Sequence, residues 1–256
     1  METNTPREAA SLALSLLDLT NLREDCDAEA IELLCRRAST PYGSAAAICI
    51  WPRFVAQARA LLGEASKIRI ATVVNFPAGD MPVADVVEET RAAISDGADE
   101  IDLVIPYRDF LAGDEAAVTA MVDAVRQACP QACLKVIIET GELKDSAHIR
   151  RASELAIHAG ADFIKTSTGK VAVNATLEAT DIMLRTIRES RRTVGFKPAG
   201  GISTVADADL YLRLAEMIMG PDWIIPSTFR FGASSLLDDI IAVLSGQPSQ
   251  RTSTGY

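Results

Sequence analysis

Ala159-Gly-Ala-Asp-Phe-Ile-Lys-Thr-Ser-Thr-Gly-Lys170 is the stretch that decides the fold. Upstream of it, Asp145–Ala159 places Ile149, Ala152 and Ala156 on one helical face, with Asp145 as a helix cap. Gly160 falls just past the helix end, where a left-handed residue is favoured. Ala161-Asp162 makes the turn, and Phe163–Ser167 reads as a short apolar strand with a lysine inside it. Thr168-Gly169-Lys170 is the loop that leaves the strand. Asp96-Gly-Ala-Asp-Glu-Ile-Asp102 repeats the layout, with an aspartate at the corresponding inward position.

Working outward, runs of the same kind recur at Leu16–Thr20, Ala46–Trp51, Arg69–Asn75, Glu100–Ile105, Leu134–Thr140, Thr193–Pro198 and Phe229–Ser234. Their starts lie about 30 residues apart, which is what a strand, a loop, a helix and a return loop need. Asp27–Ser39 is one intervening helix, with Ile31, Leu34 and Ala38 on one face. Eight strands alternating with helices predict a parallel α/β sheet, and eight is the number that closes a (β/α)₈ TIM barrel. A doubly wound open sheet would want a Gly-rich first turn, and no GxGxxG occurs. Thr168-Gly-Lys170 is not a P-loop, because Ile164 stands where its first Gly would be. The reading is a single barrel domain over residues 1–246 with a short N-terminal helix, then a polar, mobile tail over 247–256 that ends in Tyr256.

Composition narrows the function. The 256 residues carry 25 Lys plus Arg against 35 Asp plus Glu, a net charge of −10. That balance argues against non-specific binding to nucleic acid or an anionic membrane surface. Five cysteines without a CxxC pair favour free thiols in a reducing cytoplasm rather than disulfides or a zinc site. The two histidines share one amphipathic helix and read as surface residues, which leaves no His-rich metal site; no cofactor is expected. Neither a signal peptide nor an apolar run of membrane-spanning length is seen.

The chemistry lies in charges set inside apolar strands. Asp18, Asp102, Lys165 and Lys197 each sit in or at the end of one, and a buried charge is costly unless it is paired or used. Lys165 and Lys197 fall on the consecutive sixth and seventh strands, about 4.8 Å apart. Two such ammonium groups repel, and desolvation adds to the effect, leaving one amine neutral near pH 7. A neutral lysine attacks a carbonyl to give a Schiff base, an electron sink for breaking or forming a C–C bond, with Asp102 moving protons. The plainer reading is a structural Lys–Asp pair. Cys49, on the second strand, reads first as an inert buried thiol.

A second feature is a candidate phosphate site. Thr168, Gly169 and Lys170 follow strand six, Gly200 and Gly201 follow strand seven, and Gly232, Ser234 and Ser235 belong to strand eight and its exit. Barrels often bind phosphate with the last loops and a helix N-terminus. The same residues also make ordinary turns and caps.

Together these segments resemble the deoxyribose-phosphate aldolase family, in its longer bacterial branch. The resemblance runs from about Leu12 to Leu244. It is carried by Leu17-Asp-Leu-Thr20, Ala46-Ala-Ile-Cys-Ile-Trp-Pro-Arg53, Thr72-Val-Val-Asn-Phe-Pro77, Gly97-Ala-Asp-Glu-Ile-Asp102, Lys135-Val-Ile-Ile-Glu-Thr-Gly-Glu-Leu143, Ala161–Lys170, Gly195-Phe-Lys-Pro-Ala-Gly-Gly201 and Arg230-Phe-Gly-Ala-Ser-Ser235. It implies a metal-independent class I aldolase of deoxynucleoside catabolism. Such an enzyme interconverts 2-deoxy-D-ribose 5-phosphate with acetaldehyde and D-glyceraldehyde 3-phosphate. It implies Lys165 as the Schiff-base lysine, Lys197 as the neighbour that tunes it, and Asp102 in proton transfer. Asp18, Thr20 and Cys49 fall at the substrate end, Lys170 with the Gly and Ser loops holds the phosphate, and Tyr256 assists proton transfer. A cytoplasmic homodimer is expected. One departure stands out: Ser203 occupies a position where family members often carry a basic residue, which would weaken the phosphate clamp. Two rival functions are a transaldolase-like lyase acting on another sugar phosphate and a non-catalytic sugar-phosphate-binding barrel.

Overall fold

The computed structural model describes residues 5–247 and Ser249, so Tyr256 lies outside the described residues. Eight parallel strands form the central sheet: β1 (Leu17–Asn21), β2 (Ala47–Ile50), β3 (Arg69–Val74), β4 (Glu100–Val104), β5 (Cys133–Ile137), β6 (Phe163–Lys165), β7 (Gly195–Lys197) and β8 (Phe231–Ala233). From β1 to β7 each pairs with the next in chain order, and β8 pairs with β1. Between β7 and β8, Phe196 bridges to Phe229 and Ala199 to Gly232. The Gly232 N–H donates to Pro198 O at 2.9 Å and the Arg230 N–H to Phe196 O at 3.1 Å, which brings the ring to near closure.

The strands are buried on both faces, with helices outside and packed side chains inside. This explains why they read as near-continuous apolar runs rather than alternating ones. β2 and β4 are buried along their whole length. Register then brings the interior charges together: Asp102 pairs with Lys135 across β4 and β5, and Lys165 with Lys197 across β6 and β7.

The helix layer follows the sequence pattern. Ser146–His158 is capped by the Asp145 carboxylate, which accepts from the Ala147 and His148 N–H groups, and it buries Ile149, Ala152 and Ala156. Ala28–Arg37 is capped by Asp27 and buries Ile31 and Leu34. The N-terminal helix Pro6–Ser15 starts with a Thr5–Glu8 capping box. Both histidines are exposed. None of the described helices is long and apolar enough to cross a membrane.

Two local readings change. The fifth strand ends at Ile137, not Thr140, because Glu139 takes a left-handed backbone (φ 56°) and Thr140–Leu143 turns into a helix. The last three strands are shorter than their apolar runs, and the residues beyond them form loops over the barrel end. Glu89 is half-buried and accepts the Asn75 N–H at 3.0 Å.

Candidate active site

Inside the barrel the charges form one connected cluster. Lys165 Nζ donates to Asp102 Oδ2 at 2.7 Å, and Lys197 Nζ donates to the same oxygen at 2.8 Å. Lys197 also donates to Asp18 Oδ2 at 2.5 Å. Lys135 Nζ reaches Asp102 Oδ1 at 2.9 Å and Glu100 Oε2 at 2.5 Å. Arg230 joins Asp18 Oδ1 (2.6 Å) to Glu100 Oε1 (2.9 Å). Gly232 makes room for this arrangement, since a Cβ there would lie 3.1 Å from Lys197 Cε and 2.8 Å from Ala199 Cβ.

Burial and neighbours set the protonation of most of these groups. Burial alone would push Asp102 up, yet Lys135, Lys165 and Lys197 hold it well below the usual carboxylate range. Asp18 is depressed in the same way by Lys197, Arg230 and Lys135, against burial. Burial disfavours the charge on Lys197, but Asp102 and Asp18 outweigh it and hold that ammonium protonated. Burial pushes the Cys49 thiol up.

Of the three lysines, Lys165 alone opens onto a cavity of about 540 Å³ at the C-terminal ends of the strands. Thr20, Thr168, Gly169, Lys170, Gly200, Gly201, Gly232, Ser234 and Ser235 also line it. Gly200 and Gly201 both have φ of 82°, a conformation that L side chains rarely adopt. Ser234 and Ser235 are exposed at the start of the helix Leu236–Leu244, whose first N–H groups face an anion well. Lys170 Nζ donates to Leu22 O at 2.7 Å and keeps further protons for a ligand.

A sequence model of DeoC/LacD family aldolases matches residues 12–239. The chain belongs to that family. A curated deoxyribose-phosphate aldolase from Agrobacterium fabrum is 70% identical over 257 residues, covering 100% of this chain and 99% of the relative. The deoxyribose phosphate aldolase of Aeropyrum pernix superposes with a TM-score of 0.75 at 25% identity, covering 94% of this chain and 93% of that one. A Toxoplasma gondii ME49 protein superposes with a TM-score of 0.87 at 26% identity, covering 95% of this chain and 98% of that one.

Within this DeoC/LacD aldolase, the geometry gathers the expected loop residues around one cavity with Lys165. Asp18 and Cys49 are fully buried and do not line it; the Cys49 thiol lies 4.0 Å from Asp102 Oδ2. Ser203 lines it, but its N–H and hydroxyl are both directed at Asp207 Oδ2. Sequence reasoning missed Glu100, Lys135 and Arg230 as members of the cluster. Lys135 carried the same signal as Lys165, a cation inside an apolar run. Asn174 and Arg37 also line the cavity, and Arg37 is paired with Asp238. They come from a loop and a helix end, where no strand pattern marks them.

Proposed function

We propose that this chain is a class I deoxyribose-phosphate aldolase that reversibly cleaves 2-deoxy-D-ribose 5-phosphate. The observation that carries the reading is Lys165 on the cavity wall, sharing one Asp102 oxygen with the charged Lys197. In the cleavage direction the Lys165 amine adds to the C1 aldehyde of the open-chain sugar, and loss of water gives an iminium. A base removes the proton of the C3 hydroxyl, the C2–C3 bond breaks, and its electron pair passes into the iminium to give an enamine. D-Glyceraldehyde 3-phosphate leaves. Protonation of the enamine carbon and hydrolysis then release acetaldehyde and the free amine. Asp102, through its contact with Lys165, moves protons among these steps.

Thr168, Gly169, Lys170, Gly200, Gly201, Gly232, Ser234 and Ser235 hold the phosphate at the other end of the cavity, with N–H groups, hydroxyls and one ammonium. Thr20 faces the sugar hydroxyls. Tyr256 is assigned by resemblance to proton transfer at the acetaldehyde-derived carbon. The chain works without a metal, in the cytoplasm, as a homodimer; light scattering and cell fractionation test the last two.

A substrate panel tests the reaction. Cleavage of 2-deoxyribose 5-phosphate should release acetaldehyde and glyceraldehyde 3-phosphate, with chelators leaving the rate unchanged. Turnover of another sugar phosphate in its place, with dihydroxyacetone rather than acetaldehyde as the carried group, would favour a transaldolase-like enzyme. No turnover of any would favour a binding protein.

A further inference from the structure

Lys135 is fully buried and does not line the cavity, yet it holds the second oxygen of Asp102. Its other contacts run away from the reacting end, to Glu100 at 2.5 Å and Asp18 at 3.6 Å. Arg230 ties those two carboxylates together from the far side. So Asp102 presents Oδ2 to Lys165 and Lys197 while Oδ1 is pinned.

The contacts also form a charge balance. Three carboxylates (Asp18, Glu100, Asp102) meet four cationic side chains (Lys135, Lys165, Lys197, Arg230), so the cluster carries one excess positive charge when all are ionised. In a low-dielectric interior such an excess favours loss of one proton. Arg230 keeps its proton. Lys135 is held by all three carboxylates and Lys197 by two, whereas Lys165 has only the oxygen it shares. We propose that Lys135 is a positioning residue of the aldol reaction: it orients Asp102 and supplies the buried positive charge that makes Lys165 give up its proton. The inference rests on Lys165 being the Schiff-base lysine.

Other groups face this cluster. Cys49 approaches from β2 and Cys133 from the start of β5, and burial pushes both thiols up, so both stay neutral. Glu139, just past β5, accepts the Thr168 N–H at 3.2 Å and lies within electrostatic reach of Lys165, farther than a direct ion pair. Burial raises its pKa, and the sign of each shift below is independent of its charge.

The test is the pH dependence of borohydride trapping with acetaldehyde, followed by mass spectrometry. Lys135→Met removes a positive charge, so the midpoint of trapping should move up by about one pH unit. Glu100→Gln removes a negative charge, so its midpoint should move down. The double variant restores the excess and should return toward the parent value. Parallel losses with no opposite shifts, and no return in the double variant, would mark Lys135 as merely structural and overturn the proposal. If Lys135→Met fails to fold, an unshifted midpoint in Glu100→Gln overturns it alone. A parent enzyme that traps no adduct on Lys165 overturns the proposed function itself, a result distinct from either.

Discussion

Lys197 and Asp102 are joined at 2.8 Å through the same carboxylate oxygen that accepts from Lys165 at 2.7 Å. One oxygen thus links the amine at the cavity to an amine sealed inside the barrel. Asp102→Asn keeps the shape but ends both charge pairing and proton exchange. General acid–base groups contribute about 10²–10⁴-fold, so kcat/KM for deoxyribose 5-phosphate should fall within that range. A loss under tenfold would place proton transfer elsewhere.

Lys197→Leu removes the ammonium beside Lys165. The barrel should persist, because removing one partner of a buried pair is costly chiefly when it strands the other charge, and here neither aspartate is stranded. Asp18 keeps Arg230 and Lys135, and Asp102 keeps Lys135 and Lys165. Rate measurements across pH should show the basic pH needed for activity displaced upward. An unchanged profile would remove Lys197 from the chemistry.

Gly232→Ala tests the packing behind that amine. The added methyl meets Ala199 Cβ at 2.8 Å and Lys197 Cε at 3.1 Å. Overpacking costs about 1–3 kcal/mol, so chemical denaturation should show a loss in that range together with a lower kcat. Full stability with full activity would mean that the lysine has slack.

At the phosphate end, Lys170→Met should raise KM for deoxyribose 5-phosphate about tenfold, equivalent to about 1.4 kcal/mol, and leave the non-phosphorylated sugar unaffected. Ser203→Arg should move the ratio of kcat/KM for the two sugars further toward the phosphate ester. An unchanged ratio would show that Ser203, turned toward Asp207, lies outside the phosphate clamp.

Acid should unfold the chain through its core. Asp18 and Asp102 are held low in the fold against burial by their cationic neighbours. A depressed carboxylate adds stability that is complete above its unfolded value, near pH 4, and is lost as pH falls toward the folded value. Thermal melts should therefore hold Tm at mildly acidic pH and lose it steeply below about pH 4. A Tm flat to pH 2 would contradict this.

Much of this was legible in the chain because the barrel imposes two periods at once. Helix faces such as Ile149-Ala152-Ala156 and caps such as Asp145 mark the outer layer. A charge inside an apolar run, as at Asp102 or Lys165, marks the interior. What escaped was pairing. Lys135 and Glu100 are charges inside apolar runs as Lys165 is, yet only the pairing of β4 with β5 shows that Lys135 meets both Glu100 and Asp102. The strand–loop boundary after Ile137 was also illegible, because glutamate has no preference for the left-handed backbone that Glu139 takes, where its carboxylate accepts the Thr168 N–H.

The central claim is that Lys165 is the nucleophile, and the most direct measurement is to locate the covalent adduct. The parent chain should be incubated with acetaldehyde, reduced with borohydride, digested and mapped by mass spectrometry. The account predicts an ethylated Lys165 with Lys135, Lys170 and Lys197 unmodified. An adduct on Lys170 or Lys197, or none at any pH, would contradict it.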